Sequence, residues 1–159
     1  MSAAASTGAV DLSGPTYAGV SVGDELPTLV LPITRTLIVS GAIASRDYQD
    51  VHHDSVLAKE RGSKDIFMNI LTTNGLVGSY VTDWSGPRSR LVDVSIRLGA
   101  PNHPDDTMTL TGSVTEKGAL TEDGRCGSVT VSLRGANKAG DHVTGTVELL
   151  LPVAEAAST

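Results

Sequence analysis

Between residues 66 and 84 the chain repeats apolar side chains at helical spacing, and after that it never does so again. Ile66, Phe67, Ile70, Leu71, Asn74, Val77, Tyr80, Val81 and Trp84 recur at intervals of three and four, which predicts one helix of roughly 28 Å. Ser85-Gly86-Pro87 stops it. Beyond Pro87 the pattern switches to alternation. Leu91, Val92, Val94, Ile96 and Leu98 make one strand, and residues 107–116, 128–133 and 143–151 make three more. Pro101-Asn102-His103-Pro104, Glu122-Asp123-Gly124 and Lys138-Ala139-Gly140 supply the turns. Consecutive strands on short links pair antiparallel, so the expected class is α+β, with a sheet packed on one long helix. A sheet covers a helix on one side only, and the edge or face left over invites dimerisation.

Upstream of the helix the signals are shorter. Leu26, Leu29, Leu31 and Ile33 suit a first strand, with Pro32 placing it at an edge or a bulge. Residues 37–45 read either way, because their β-branched side chains favour strand while Ile38, Gly41, Ala42 and Ser45 form a small-residue helical stripe. A polar patch follows, then a short helix over 55–61 that Gly62 closes. His53 and Asp54 are read as capping that helix. Residues 1–20 and 154–159 are small and polar, which predicts two disordered tails around a single domain at 21–153. Inside the long helix, Gly75 and Gly78 each cost about 1 kcal/mol relative to Ala. That loss is offset if the sheet or a neighbouring subunit approaches the helix backbone there.

At 159 residues the chain holds one core, and its net charge of −6 argues against a basic phosphate-binding face over the whole molecule. Five aromatic residues offer no stacking platform for single-stranded nucleic acid. Cys126 is the only cysteine, so no intrachain disulfide or multi-thiolate zinc site can form, and it reads as a small strand residue. No apolar run reaches the roughly 18 residues of a membrane span, and no signal-peptide pattern opens the chain. The expected location is the cytoplasm.

Ionisable groups are densest in Arg46-Asp47-Tyr48-Gln49-Asp50-Val51-His52-His53-Asp54. A metal site there is disfavoured, since adjacent histidines diverge and His103 and His142 lack ligand-like neighbours. A nucleophilic triad is disfavoured too: the one Gly-x-Ser-x-Gly match, Gly19-Val20-Ser21-Val22-Gly23, leads into the strand-like run from Leu26 and not into a helix, so it offers no strained strand-to-helix turn for a nucleophile. General acid and base chemistry remains, with Asp47 and His52 as the pair, set against a reading of the whole patch as a solvated loop. On an unbroken helix the two would be rotated by roughly 140° from each other. Both reach one substrate only if the helix ends near Tyr48 and the chain turns.

The segment from Ser45 through Asp54, followed by Gly62-Ser63-Lys64-Asp65-Ile66-Phe67-Met68-Asn69-Ile70-Leu71-Thr72 and Tyr80-Val81-Thr82-Asp83-Trp84, resembles the MaoC-type hydratases of the hotdog fold. More narrowly, it is similar to the small subunits of bacterial steroid side-chain 2-enoyl-CoA hydratases, over about residues 25–152. Their signature is Asp-x-Asn-Pro-x-His, and Asp47 and His52 take its catalytic positions. Gln49 stands in place of Asn and Asp50 in place of Pro. The resemblance implies an antiparallel sheet wrapped around the long helix, and it favours helix over strand for residues 37–46.

It also implies a function: hydration of the 2,3-double bond of an acyl-CoA thioester, with a steroid side-chain acyl group. Asp47 and His52 would hold the water, and the backbone N–H of Asn69, at a position where Gly is common, would bind the developing oxyanion. No metal or separate cofactor is implied, since coenzyme A is part of the substrate. The implied partner is a second MaoC-like hotdog subunit in an α2β2 heterotetramer. Two alternatives stay open: a hotdog acyl-CoA thioesterase, and a non-catalytic hotdog partner subunit. Tyr48, between the two catalytic positions, reads as a space-filling residue.

Overall fold

The computed structural model describes residues 14–153. Strand β1 (Leu29–Ile33) leads into helix α1 (Arg35–Ala44), a 3₁₀ turn (Asp50–His52), the short helix α2 (Ser55–Glu60) and the long helix α3 (Ile70–Ser85). Four strands follow: β2 (Arg90–Leu98), β3 (Asp106–Leu120), β4 (Cys126–Asn137) and β5 (Gly140–Pro152). All pair antiparallel in the order β1-β3-β4-β5-β2. Pro32 therefore sits on an edge strand, where its missing N–H costs no ladder bond. Residues 37–44 are helical, and Cys126 opens β4, as expected.

Alternation builds the core. Val129, Val131 and Leu133 of β4, with Val143, Val147, Leu149 and Leu151 of β5, point to the face on which α3 lays Val77, Tyr80 and Val81. The helix packs close to the sheet because Gly112 of β3 leaves room for the Tyr80 ring, which a Cβ there would meet at 3.3 Å. Among the described residues, no helix is long and apolar enough to cross a membrane.

Four expectations need correcting. Helix α3 starts at Ile70, not Ile66. Phe67 N–H donates to the Val51 carbonyl at 3.2 Å and Met68 N–H to the Asn102 carbonyl at 3.0 Å, so residues 66–68 run extended, with Ile66 and Met68 buried and Phe67 turned toward the site. The sheet does not close on Gly75, around whose Cβ position there is nothing within 4 Å, and near Gly78 only Leu91 comes within that range, at 3.9 Å. Residues 14–20 belong to the fold rather than to a tail: the Tyr17 hydroxyl donates to the Gly118 carbonyl at 2.7 Å, its ring lies against Gly127, and Val20 is buried. Residues 1–13 and 154–159 lie outside the described residues. Finally, Asp54 alone caps α2, accepting from Val56 N and Leu57 N, while His53 Nε2 bonds the Tyr48 carbonyl.

Candidate active site

Helix α1 delivers Asp47 by the way it ends. Arg46 N–H donates to the Ile43 carbonyl and Asp47 N–H to the Ala42 carbonyl, at 3.1 and 2.9 Å. This is the Schellman pattern, and it needs a left-handed residue, which here is Arg46 at φ 56°. The reversal points the next side chain, Asp47, back toward α3. The 3₁₀ turn then brings His52 inward. Its imidazole is largely buried, with Nδ1 2.7 Å from the Phe67 carbonyl. A carbonyl only accepts, so Nδ1 carries the proton and Nε2 is the nitrogen that faces Asp47, 3.4 Å from Oδ2. Phe67 also supports the imidazole edge-to-face at 5.0 Å between centroids.

Asn69 closes the arrangement as the N-cap of α3. Its Oδ1 accepts from Thr72 N at 2.9 Å, and its Nδ2 donates to Ser45 Oγ at 2.9 Å and to Asp47 Oδ2 at 3.0 Å. The backbone N–H of Asn69 takes no acceptor among the described residues. It sits where unpaired amides and the helix dipole favour negative charge.

A cleft of about 310 Å³ opens at this point, with Asp47, Gln49, His52, Phe67 and Asn69 on one side and Leu98, Pro101 and His142 on the other. The turn expected near Tyr48 thus comes earlier, at Arg46, and brings Asp47 and His52 to one cavity. His53 points away from it, and Tyr48 is exposed to solvent on the outside.

Three contributors escaped the sequence reading. The Phe67 carbonyl and the Asn69 carboxamide did so because both residues fall within the helix that the apolar spacing predicts over 66–84. His142 is buried on the cleft wall, with Nδ1 donating to the Ala100 carbonyl at 2.8 Å and Nε2 accepting from Thr73 Oγ1 at 2.9 Å. Burial holds its pKa below the usual imidazole value, although the bond to Ala100 works the other way. Its signal in the sequence was weak: one histidine among alternating strand residues.

No protein-family model matches the chain. Over 128 residues it is 52% identical to the 3-oxo-4,17-pregnadiene-20-carboxyl-CoA hydratase beta subunit of Mycobacterium tuberculosis (strain ATCC 25618 / H37Rv), covering 80% of this chain and 94% of that one. The chain belongs to this MaoC-like hydratase family. Its fold is also that of a chain in the crystal structure of the ChsH1-ChsH2 complex from Mycobacterium tuberculosis, at TM-score 0.76 and 50% identity, covering 82% of this chain and 98% of that one. More distant solved structures share the hotdog architecture alone. The R-hydratase PhaJ1 from Pseudomonas aeruginosa matches at TM-score 0.78 and 21% identity, over 93% of this chain and 92% of its own. A MaoC-like dehydratase from Rhodospirillum rubrum matches at 0.71 and 17%, over 87% and 97%.

Proposed function

We propose that this chain is the catalytic subunit of a heteromeric enoyl-CoA hydratase, working in the cytoplasm on a steroid side-chain 2-enoyl-CoA. The observation that carries the reaction is the meeting of Asp47 Oδ2 and His52 Nε2, 3.4 Å apart, at the cleft beside the start of α3. A water held by both groups lies between a carboxylate and the one imidazole nitrogen free to exchange a proton. As the water oxygen bonds to Cβ, one of the pair removes a water proton, and that same proton, held on Oδ2 or Nε2, is then delivered to Cα, which leaves both groups as they began. Atoms balance as one water added across the double bond. Negative charge that develops on the thioester oxygen is met by the Asn69 backbone N–H and the positive end of α3.

Cavity size supports the partner. A cleft of about 310 Å³ is at the lower limit of ordinary ligand pockets and takes the enoyl thioester end of the substrate, but not a fused-ring acyl group as well. A second MaoC-like hotdog subunit supplies the remaining wall, in an α2β2 assembly. The relative named above is itself a beta subunit, and the solved complex contains two differently named components. No metal or separate cofactor takes part in this reaction.

Co-expression with a hotdog partner, followed by the conjugated-thioester absorbance of steroid and straight-chain 2-enoyl-CoA substrates, tests this reading. Absorbance is expected to fall on the steroid substrate without release of free thiol. Thiol release would identify a thioesterase instead, and full activity of the isolated chain on linear substrates would remove both the steroid and the partner.

A further inference from the structure

We infer that the side chain of Asn69 is a positioning residue that fixes the Asp47 carboxylate for proton transfer, an inference that rests on the hydratase reading above. Asn69 is 2% exposed, and each of its amide hydrogens and its Oδ1 has a partner. The orientation of the amide follows from chemistry. Thr72 N–H can only donate, so the atom it meets is Oδ1, and Nδ2 is the end turned toward Ser45 and Asp47. Reversing the group would set an oxygen against the carboxylate. Ser45 is ready to accept because its own hydroxyl hydrogen goes to the Gly41 carbonyl at 2.7 Å.

Capping α3 requires only an acceptor, which Ser, Thr or Asp would supply equally. An ionised Asp carries no donor, and Ser or Thr carries its one hydrogen on the same oxygen that caps, whereas the carboxamide adds a separate NH₂, one hydrogen of which goes to the carboxylate. From the side of Asp47, this bond is the shortest its carboxylate makes: Gln49 N and His52 Nε2 each lie at 3.4 Å. Carboxylate torsions are broad and two-fold. Without Nδ2, nothing of comparable strength stops Oδ2 from rotating away from His52. Since Ser45 belongs to the end of α1 and Asn69 to the start of α3, the same amide also ties together the two elements that bring in the reacting groups.

Asn69→Ser and Asn69→Asp separate the two roles, because both retain a capping oxygen and the backbone N–H while losing the NH₂ that reaches Asp47. In the complex with its partner subunit, kcat on a 2-enoyl-CoA is expected to fall on the order of tenfold or more in Asn69→Ser, as for losing a hydrogen bond to a charged group. It should fall further in Asn69→Asp, where a second carboxylate faces Asp47. KM should stay within about two-fold, since the cap and the backbone N–H are kept, while thermal midpoints fall in Asn69→Ser and further in Asn69→Asp, where two carboxylates meet in a buried site. A role limited to capping predicts the opposite order, with Asn69→Asp as active as the parent, and that result would overturn the inference. Crystal structures of both variants give a readout independent of turnover: the Asp47 carboxylate should leave its place beside His52, and an unmoved carboxylate would contradict the inference. If the parent complex hydrates no enoyl thioester, the reaction assignment fails while the structural readout still decides the role of Asn69.

Discussion

Asp47 and His52 lie five positions apart in the sequence, yet only backbone events between them bring the pair together. Replacing either by Ala is expected to lower kcat on the order of 100-fold or more, the usual contribution of a general acid or base. Steady-state rates with the partner present check this, and unchanged turnover in both variants would make the chain a non-catalytic partner. His142 makes a separate prediction about stability. Its folded pKa lies below the reference value of 6.5, so as pH falls through that value the unfolded chain binds the proton first. Stability is full above about 6.5 and declines below it. Denaturant unfolding on either side of that pH should show the decline, and His142→Gln should flatten it. A second loss belongs to a lower window. Arg35 holds the Asp65 carboxyl at about 2, against 3.8 for the free group, so stability present above 3.8 is lost as pH falls toward 2.

Helix ends explain both what the sequence disclosed and what it concealed. The strands after Pro87 were legible because alternation over nine or more residues, as in β2, has few competing interpretations. Asp47 and His52 were legible as types at a spacing, and the resemblance gave that spacing weight. The start of α3 was not legible, because Ile66 and Phe67 fit the helical period, and the bonds that hold residues 66–68 extended come from Val51 and Asn102, distant in sequence. The exit of α1 was hidden for a similar reason: Arg46 adopts φ 56° with no glycine to announce it. A left-handed non-glycine residue costs about 1–2 kcal/mol, so Arg46→Gly should raise the unfolding free energy by about 1 kcal/mol after glycine's extra chain entropy is deducted. Chemical denaturation measures this, and a loss of stability would show that the Arg46 side chain contributes more than its backbone costs. Gly41→Ala should act the other way. A Cβ there would collide with the Thr72 side chain, pushing α1 off α3 and costing about 1–3 kcal/mol.

For the molecule as a whole, the surface that stays uncovered is informative. Ile70 and Leu71 on α3 are about half exposed, as is Val92 on edge strand β2, and Gly75 opens on the same side with nothing around it. In the isolated chain Gly75→Ala should stabilise by up to about 1 kcal/mol, the helix-propensity difference with no clash to oppose it. If a partner rests close on that backbone, the same change should weaken assembly, which size-exclusion chromatography of the co-expressed complex would register. Composition could bound this molecule to one core, but no count of residues could show a cleft of about 310 Å³ at the head of α3. That came from the packing of α1, α3 and the end of β2.

The most direct measurement is the mass of the acyl-CoA product after incubating a steroid 2-enoyl-CoA in water enriched in heavy oxygen, with the parent complex and with Asp47→Asn. The parent should yield an intact thioester heavier by one molecule of that water, and Asp47→Asn should leave the enoyl thioester largely unchanged. A cleaved thioester carrying the label in its carboxylate, or full hydration by Asp47→Asn, would contradict the assignment of the Asp47–His52 pair.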